Sequence, residues 1–420
     1  MKPARLAQVL APVLSSLGSV AALAACGSTA QPAGDRISGR TLTIYSSAPL
    51  YGASGVGAQA VVDGEQMALA RVHGRIGRYH IALRALDDST AGSGRWDPGQ
   101  TTINARQARA DPTTIGYLGE FASGASAISI PVLNRAGIPQ ISATNTAVGL
   151  TSGGPSASPG EPQKYYPTGI RTYARVLPND AVQASVQAQL QKEQGCTETF
   201  TLDDGEVDGA ETASSFQLAA QAVGLPLAGT QGYDPAASDY TALALGVART
   251  GADCVLISAD AENNAVLLTE QLAAALPHAT LFGTAGLAES SYTDPAQGGI
   301  PASLDPRVLI TVAALGADAS PAAGRAFLAA YAQRYGSPEP YAIFGYEAMS
   351  LTLDAIARAT RNGRSAAERS KVRAAIFATR NRSSVLGTYS IDRDGDTTLG
   401  QYGAYRVVDG QLRLWKVVGG

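Results

Sequence analysis

Two clusters of small hydroxyl residues offer the first chemistry in this chain: Ser123-Gly124-Ala125-Ser126 and Ser142-Ala143-Thr144-Asn145-Thr146. The first sits just before a helical pattern, the second at the end of an apolar run. Free backbone N–H groups and hydroxyls in such places make a carboxylate site, aided by the helix dipole. Ser and Thr also serve as caps and turn residues, and at this level both readings stay open. Enzymatic chemistry finds little support. The chain has no Gly-x-Ser-x-Gly elbow, no Walker loop and no His-Glu-x-x-His. His73, His80 and His278 lie far apart and match neither a metal spacing nor a Ser/His/Asp set. Gly52 to Gly57 is glycine-rich after a strand, but its spacing is wrong for a dinucleotide fingerprint. Asp392-Arg393-Asp394-Gly395-Asp396 starts like a calcium loop, yet Thr397 takes the required Gly position and Gly403 the final Glu position, so a hairpin turn is expected. The sequence therefore predicts no enzyme, no metal and no cofactor.

The elements that position these clusters repeat. Short β-like runs alternate with helical patterns every ~25–35 residues, as a mostly parallel sheet covered on both faces requires. Strands are expected at 42–44, 81–83, 114–118 and 138–142, with helices at 102–110 and 126–135. The Gly/Pro/Ser-rich stretch 152–162 reads as a surface loop. A second series follows: helices at 180–193, 209–223, 238–250 and 262–276, and strands at 200–202, 254–258, 280–282 and 308–312. Three more helices are expected near 321–335, 341–361 and 365–378, and a hairpin-like stretch over 387–418. Two open α/β lobes are implied, and ligands of such sheets bind beyond the carboxyl ends of the strands. The 420 residues are 45% hydrophobic and only 16% charged, with a formal net charge of −3. That excludes a disordered polyelectrolyte and leaves no basic footprint for nucleic acid.

The N-terminus carries Lys2 and Arg5, then an uncharged stretch to Ala25 that is long enough to span a bilayer but rich in Ala, Gly and Ser. Leu23-Ala24-Ala25-Cys26-Gly27 resembles a bacterial lipoprotein box, which makes 1–25 a signal peptide, Cys26 the lipidated residue and 26–40 a linker. The protein is then exported and held at the membrane by its lipid. Outside the cytosol a disulfide can persist. Cys196 and Cys254 each begin an apolar run; on adjacent parallel strands they would lie at one sheet edge and could bridge, the alternative being two separate buried thiols.

From residue 41 to about 416 the chain resembles the Leu/Ile/Val-binding family of ABC-transporter substrate-binding proteins. The resemblance rests on an ordered set: Asp87-Asp88 with Asp97-Pro98-Gly99-Gln100, Ile115-Gly116-Tyr117-Leu118, the two hydroxyl clusters, Ala136-Gly137-Ile138-Pro139, Gly251-Ala252-Asp253-Cys254-Val255, and Gly387-Thr388-Tyr389-Ser390-Ile391-Asp392. It implies two Rossmann-like lobes of the type I periplasmic-binding-protein fold, three interlobe crossings and a cleft that closes on a small ligand. The first crossing is expected near 176–180 and the second near 311–316. The lobes would be 41–176 plus 313–385 and 177–312 plus 386–420. It also implies an ABC permease as partner, a monomer, and a carboxylate and ammonium held at Ser123, Thr144 and Thr146, with Ser142 alongside.

The second half departs from the family. Asp208 stands where an aromatic residue is expected, and Asp260 where the branched-chain binder presents a Tyr. Ala285 replaces the carboxylate that meets the ligand ammonium. A buried ammonium needs a counter-charge, and Asp208 or Asp260 could supply it; Asp208 could equally cap a helix. If both face the cleft, the ligand is more polar or cationic than a branched-chain amino acid. Tyr51 could add an aromatic wall. A lipoprotein sensor acting on a separate membrane partner and an amide or urea binder are the alternatives.

Overall fold

The structure, a computed structural model, describes residues 34–419. The stretch read as a signal peptide, and Cys26, lie outside the described residues. The stretch read as a linker is not a free tether at 35–37: the Ile37 N–H donates to the Ala367 carbonyl at 2.9 Å and the Ile37 side chain is buried. The Asp35 carboxylate accepts from the Ser370 N–H and hydroxyl at 2.8 and 2.6 Å.

The first lobe begins with β1 (Thr41–Ala48), α1 (Gly55–Arg71), β2 (Arg75–Ile76), β3 (Tyr79–Asp87) and α2 (Pro98–Ala110). It continues with β4 (Thr114–Leu118), α3 (Ser123–Asn134), β5 (Gln140–Ser142) and β6 (Tyr173–Arg175). These strands form one sheet in the order β2-β3-β1-β4-β5-β6, parallel except where β2 meets β3. β1 is buried from Leu42 to Ala48, as a central strand covered on both faces must be. Asp97 accepts the Gln100 N–H at 2.8 Å and, with Pro98 behind it, starts α2 four residues earlier than the apolar pattern predicts.

The second lobe is α4 (Asp180–Glu193), β7 (Thr199–Asp203), α5 (Val207–Val223), β8 (Leu227–Gly232) and α6 (Thr241–Ala248). After these come β9 (Cys254–Ser258), α7 (Ala265–Ala275), β10 (Thr280–Gly283), α8 (Ser290–Thr293) and β11 (Val308–Val312). The chain then supplies α9 (Ala322–Tyr335), α10 (Ala342–Ala359) and α11 (Arg369–Phe377). α10 packs along α1, and α11 lies beside α10 and β4, so this part has returned to the first sheet. A small hairpin of β12 (Arg382–Ser384) and β13 (Gly387–Tyr389) follows. The last crossing delivers β14 (Tyr402–Val408) and β15 (Gln411–Val418) to the second sheet, whose order is β15-β14-β11-β10-β9-β7-β8. The stretch 387–418 is thus not one hairpin: β13 pairs back with β12, and only β14 and β15 form the terminal one.

Three crossings therefore join two sheets, and the chain is an α/β fold of two parallel-sheet lobes. The α1–α10 contact depends on two glycines. A Cβ on Gly64 would overlap the Ala342 carbonyl oxygen, and one on Gly345 would overlap the Val61 carbonyl oxygen, so the helices cross backbone to backbone. In the second lobe Cys196 and Cys254 are joined as a disulfide with Cα atoms 5.8 Å apart. β7 and β9 are adjacent and parallel, and Thr199 faces Cys254 in register, which brings the approach to β7 next to the start of β9.

Candidate binding cleft

The loops that carry the candidate residues follow the carboxyl ends of β4 and β5 in the first lobe, and of β7, β9 and β10 in the second. Residues 119–123 and 142–147 are tied together. The Glu120 carbonyl accepts from the Ser142 hydroxyl at 3.1 Å, the Thr144 hydroxyl at 3.3 Å and the Asn145 amide at 3.0 Å. The Phe121 carbonyl accepts from Thr144 Oγ1 at 2.6 Å. Ser142 Oγ also accepts the N–H groups of Thr144 and Asn145, at 3.1 and 3.0 Å. Ser142 is thus a fully used internal pin. Ser123 is the first residue of α3, three residues earlier than the apolar pattern predicts, and its buried Oγ accepts the Ala147 N–H at 3.4 Å. Thr146 accepts the Asp180 N–H at its carbonyl, 2.8 Å away, so the rim of the first lobe meets the start of α4 at the crossing.

Arg175 fixes the base of that rim. It is fully buried, pairs through Nε with Asp396 at 2.7 Å, and donates through Nη1 to the carbonyls of Ala147 and Asn145 at 2.7 and 3.2 Å. Asp396 closes the Asp392 turn, where one Asp392 oxygen accepts three successive N–H groups, from Asp394, Gly395 and Asp396. Its carboxyl is held below the usual range by Arg175 despite burial.

The second lobe presents carboxylates. Asp204 organises them: it accepts from the N–H groups of Glu206 and Asp260 and from the Asn263 amide, at 3.0, 2.9 and 2.8 Å. Asp208 is half-buried on the first turn of α5, and its Oδ1 has no hydrogen-bond partner. Its carboxyl is pushed well above the usual range by burial and then by Asp180, Asp204 and Glu206. Asp260, also half-buried, is pushed up by burial and by Asp208, Asp204, Glu262 and Glu206. Asp208 and Asp260 therefore share one neighbourhood.

Several partners escape a reading by sequence position. Asp180 is 0% exposed, neither of its oxygens has a partner in hydrogen-bonding geometry, and burial raises its carboxyl to about 6. The Thr146 and Thr212 hydroxyls beside it oppose that rise. Glu289 is buried four residues beyond Ala285 and is raised by burial and by Glu262 and Glu339. A carboxylate thus does return in the loop after β10. Ala285 itself offers its carbonyl to the Tyr341 hydroxyl at 2.9 Å. The Tyr341 ring meets Phe121 edge-on with centroids 5.8 Å apart. Burial, then Glu289, Asp260 and Asp208, raise the Tyr341 phenol, which places it among them. Tyr51, by contrast, is 58% exposed, so the buried aromatic surface comes from Phe121 and Tyr341. A signal for the acids was present: five occur between 203 and 211 with no Lys or Arg among them.

Two further contacts bridge the lobes beside those of Tyr341 with Ala285 and Arg175 with Asp396. Arg95, before α2, reaches Glu206 Oε1 at 3.1 Å and Asn263 Oδ1 at 2.8 Å. The Gly149 N–H donates to Glu211 Oε2 at 2.8 Å. Among the described residues no group of three or more metal-ligating side chains occurs, and no helix is long and apolar enough to cross a membrane.

Comparison with known proteins agrees with this architecture. The family described as "Periplasmic binding protein" matches residues 42–411. No curated protein sequence matches significantly. A leucine-binding protein from Thermotoga maritima superposes with a TM-score of 0.74 at 19% identity, covering 90% of this chain and 98% of that one. A branched-chain amino acid transporter substrate-binding protein from Streptococcus pneumoniae, solved with isoleucine, gives 0.75 at 17%, covering 91% and 100%. A solute-binding protein of an ABC transporter from Rhodopseudomonas palustris, solved with p-hydroxybenzoic acid, gives 0.72 at 16%, covering 90% and 96%. With 42–411 matched to one family and two lobes on three crossings, the chain belongs to the periplasmic binding proteins.

Proposed function

We propose that this protein is the lipid-anchored solute receptor of an ABC importer and closes its lobes on a small amino-acid-like ligand, polar or cationic rather than branched-chain. The two moving bodies are 41–176 with 313–385 and 177–312 with 386–420, and Cys26 carries the anchor. Ser123, Thr144 and Thr146 rim one wall, Ser142 fixes the loop behind them, and Asp208 and Asp260 face them from the other. The observation that carries the reading is the second wall: its carboxylates are desolvated and raise one another, while Arg95 of the first lobe is bonded to Glu206 and not to Asp208 or Asp260. A ligand cation supplies the missing counter-charge, and only a ligand that prefers the closed form can drive closure.

A thermal-shift screen of the purified protein against amino acids, amides and amines tests this, because binding to the native state raises stability. A cationic solute is expected to raise Tm by several degrees, and Asp260→Ala to abolish the rise. A Tm moved only by leucine, isoleucine or valine refutes the cationic reading. Retention of label from a radiolabelled fatty acid by the wild type and its loss in Cys26→Ser tests the anchor.

A further inference from the structure

From the first-lobe wall together with Glu206, we infer that the ligand is an organic cation with two or more amino groups and no carboxylate: a diamine or polyamine rather than an amino acid. The inference rests on the solute-receptor reading above, keeps its cationic ligand and replaces the amino-acid-like one with a class that lacks the carboxylate.

Three observations carry it. First, two of the hydroxyls on the expected carboxylate wall, those of Thr144 and Ser142, are engaged. Thr144 gives its single proton to the carbonyls of Phe121 and Glu120, and Ser142 gives its own to Glu120. A hydroxyl has one proton to donate, so neither can offer a hydrogen bond to an incoming carboxylate without breaking the loop's internal bonds.

Second, the start of α3 already faces an anion. Glu206 Oε2 lies 3.3 Å from where a Cβ on Gly124 would stand, and the Trp96 ring lies closer still, at 2.8 Å. Gly124 is the second residue of a 12-residue helix, and the positive end of its dipole faces this space. The protein's own carboxylate therefore lies beside the helix start at which the family resemblance places the ligand's. Its other oxygen is bound by Arg95, so the bridging cation of the first lobe is committed to the same group. A second carboxylate would meet Glu206 as a like charge.

Third, the remaining acids call for more than one cation. Asp180 is fully buried with only the Thr146 and Thr212 hydroxyls beside its carboxylate, and Asp208 keeps one bare oxygen. These acids come from four separate places, with Asp180 at the start of α4, Asp208 on the first turn of α5, Asp260 after β9 and Glu289 just before α8, and Tyr341 feels Glu289, Asp260 and Asp208 together. One ammonium neutralises one of these. Amino groups separated by methylenes match acids from separate elements flanked by Phe121 and Tyr341.

The test is calorimetric titration of the purified protein with matched pairs that differ only in the carboxylate: cadaverine with lysine, agmatine with arginine, and isopentylamine with leucine. At least one diamine is expected to bind ten-fold or more tightly than its amino acid, and isopentylamine more weakly than cadaverine. Glu206→Gln frees Arg95 and the α3 N-terminus, so it is expected to narrow the amine-to-amino-acid ratio at least ten-fold. An amino acid that binds as tightly as its amine in the wild type overturns the inference and leaves the solute-receptor reading standing. Silence from every amine overturns it as well, and that reading is then decided by the wider screen. The wild-type comparison needs no variant, so a misfolded Glu206→Gln does not protect the inference.

Discussion

Asp180→Asn separates the requirements of folding from those of binding. Asp180 starts α4 at the first crossing, is 0% exposed, and has its carboxyl raised from 3.8 to about 6, chiefly by burial. The sign follows from which state holds the proton. Between pH 4 and 6 the folded protein keeps a proton that the unfolded chain has lost, so rising pH favours unfolding. The penalty is absent below about pH 4 and complete above about pH 6. Roughly two pH units at ~1.4 kcal/mol each make the ionised carboxylate worth about 3 kcal/mol against folding at pH 7.5. Asn has the same shape and keeps an oxygen for the Thr146 and Thr212 hydroxyls, but carries no charge. Loss of attraction to Arg175 returns part of the gain.

The expected result is a ligand-free protein stabilised by ~1–3 kcal/mol at pH 7.5 and changed by less than ~0.5 kcal/mol at pH 4. Urea titrations at the two pH values read this directly from the midpoint at constant slope. Binding of the cationic ligand should weaken at least ten-fold in the same variant, because one buried counter-charge has gone. A variant that is less stable at pH 7.5, or equally altered at both pH values, refutes the premise that Asp180 is an uncompensated buried charge. A stabilised variant that binds its ligand as before refutes its place in the cleft.

Three further outcomes follow from the geometry. Gly345→Ala gains ~1 kcal/mol of helix propensity, but its Cβ meets the Val61 carbonyl. A net loss of at least 2 kcal/mol in chemical denaturation is expected, and a gain would show that α1 and α10 do not cross this closely. The Cys196→Ser/Cys254→Ser pair opens a loop with a sequence separation of 58, and chain entropy puts the loss near ~4 kcal/mol; an unchanged denaturation midpoint with and without reductant would contradict the crosslink. Ligand-free stability should fall from pH 5 to pH 8, because the folded protein keeps protons on Glu262, raised to about 7, and Glu211, raised to about 8, that the unfolded chain has lost. A saturating diamine should flatten that fall, and a rise in ligand-free stability over the same range would reverse the sign assigned to these acids.

The βα alternation was legible because buried parallel strands such as Thr114–Leu118 and Cys254–Ser258 are continuous apolar runs. β8 was not: Leu227–Gly232 is an edge strand with its last three residues exposed, so no apolar pattern marks it. β6 was hidden for a different reason. Its three residues end in Arg175, a charge that reads as surface until Asp396, 221 residues later, is placed against it. Helix starts slipped where a cap, rather than hydrophobicity, decides them, as Asp97 does for α2.

Residue type and the family resemblance put Ser123, Ser142, Thr144, Thr146, Asp208 and Asp260 at or shortly after strand ends, and the structure has them there. They could not say which way each hydroxyl proton points, and Ser142 and Thr144 turn theirs to backbone carbonyls. Nor could they find Asp180 or Glu289, which reach the site only because a crossing and the turn after β10 bring them there. The formal charge of −3 over 420 residues hides the decisive feature. Net charge averages over the surface, whereas a binding site depends on charge that burial keeps from water. Five acids between 203 and 211 without one Lys or Arg are unremarkable on a solvated face. In the proposed receptor, with Arg95 already bound to one of them, the rest would oppose closure until a cation arrives. That opposition makes closure conditional on the ligand, which is what a receptor that must signal occupancy to a transporter requires.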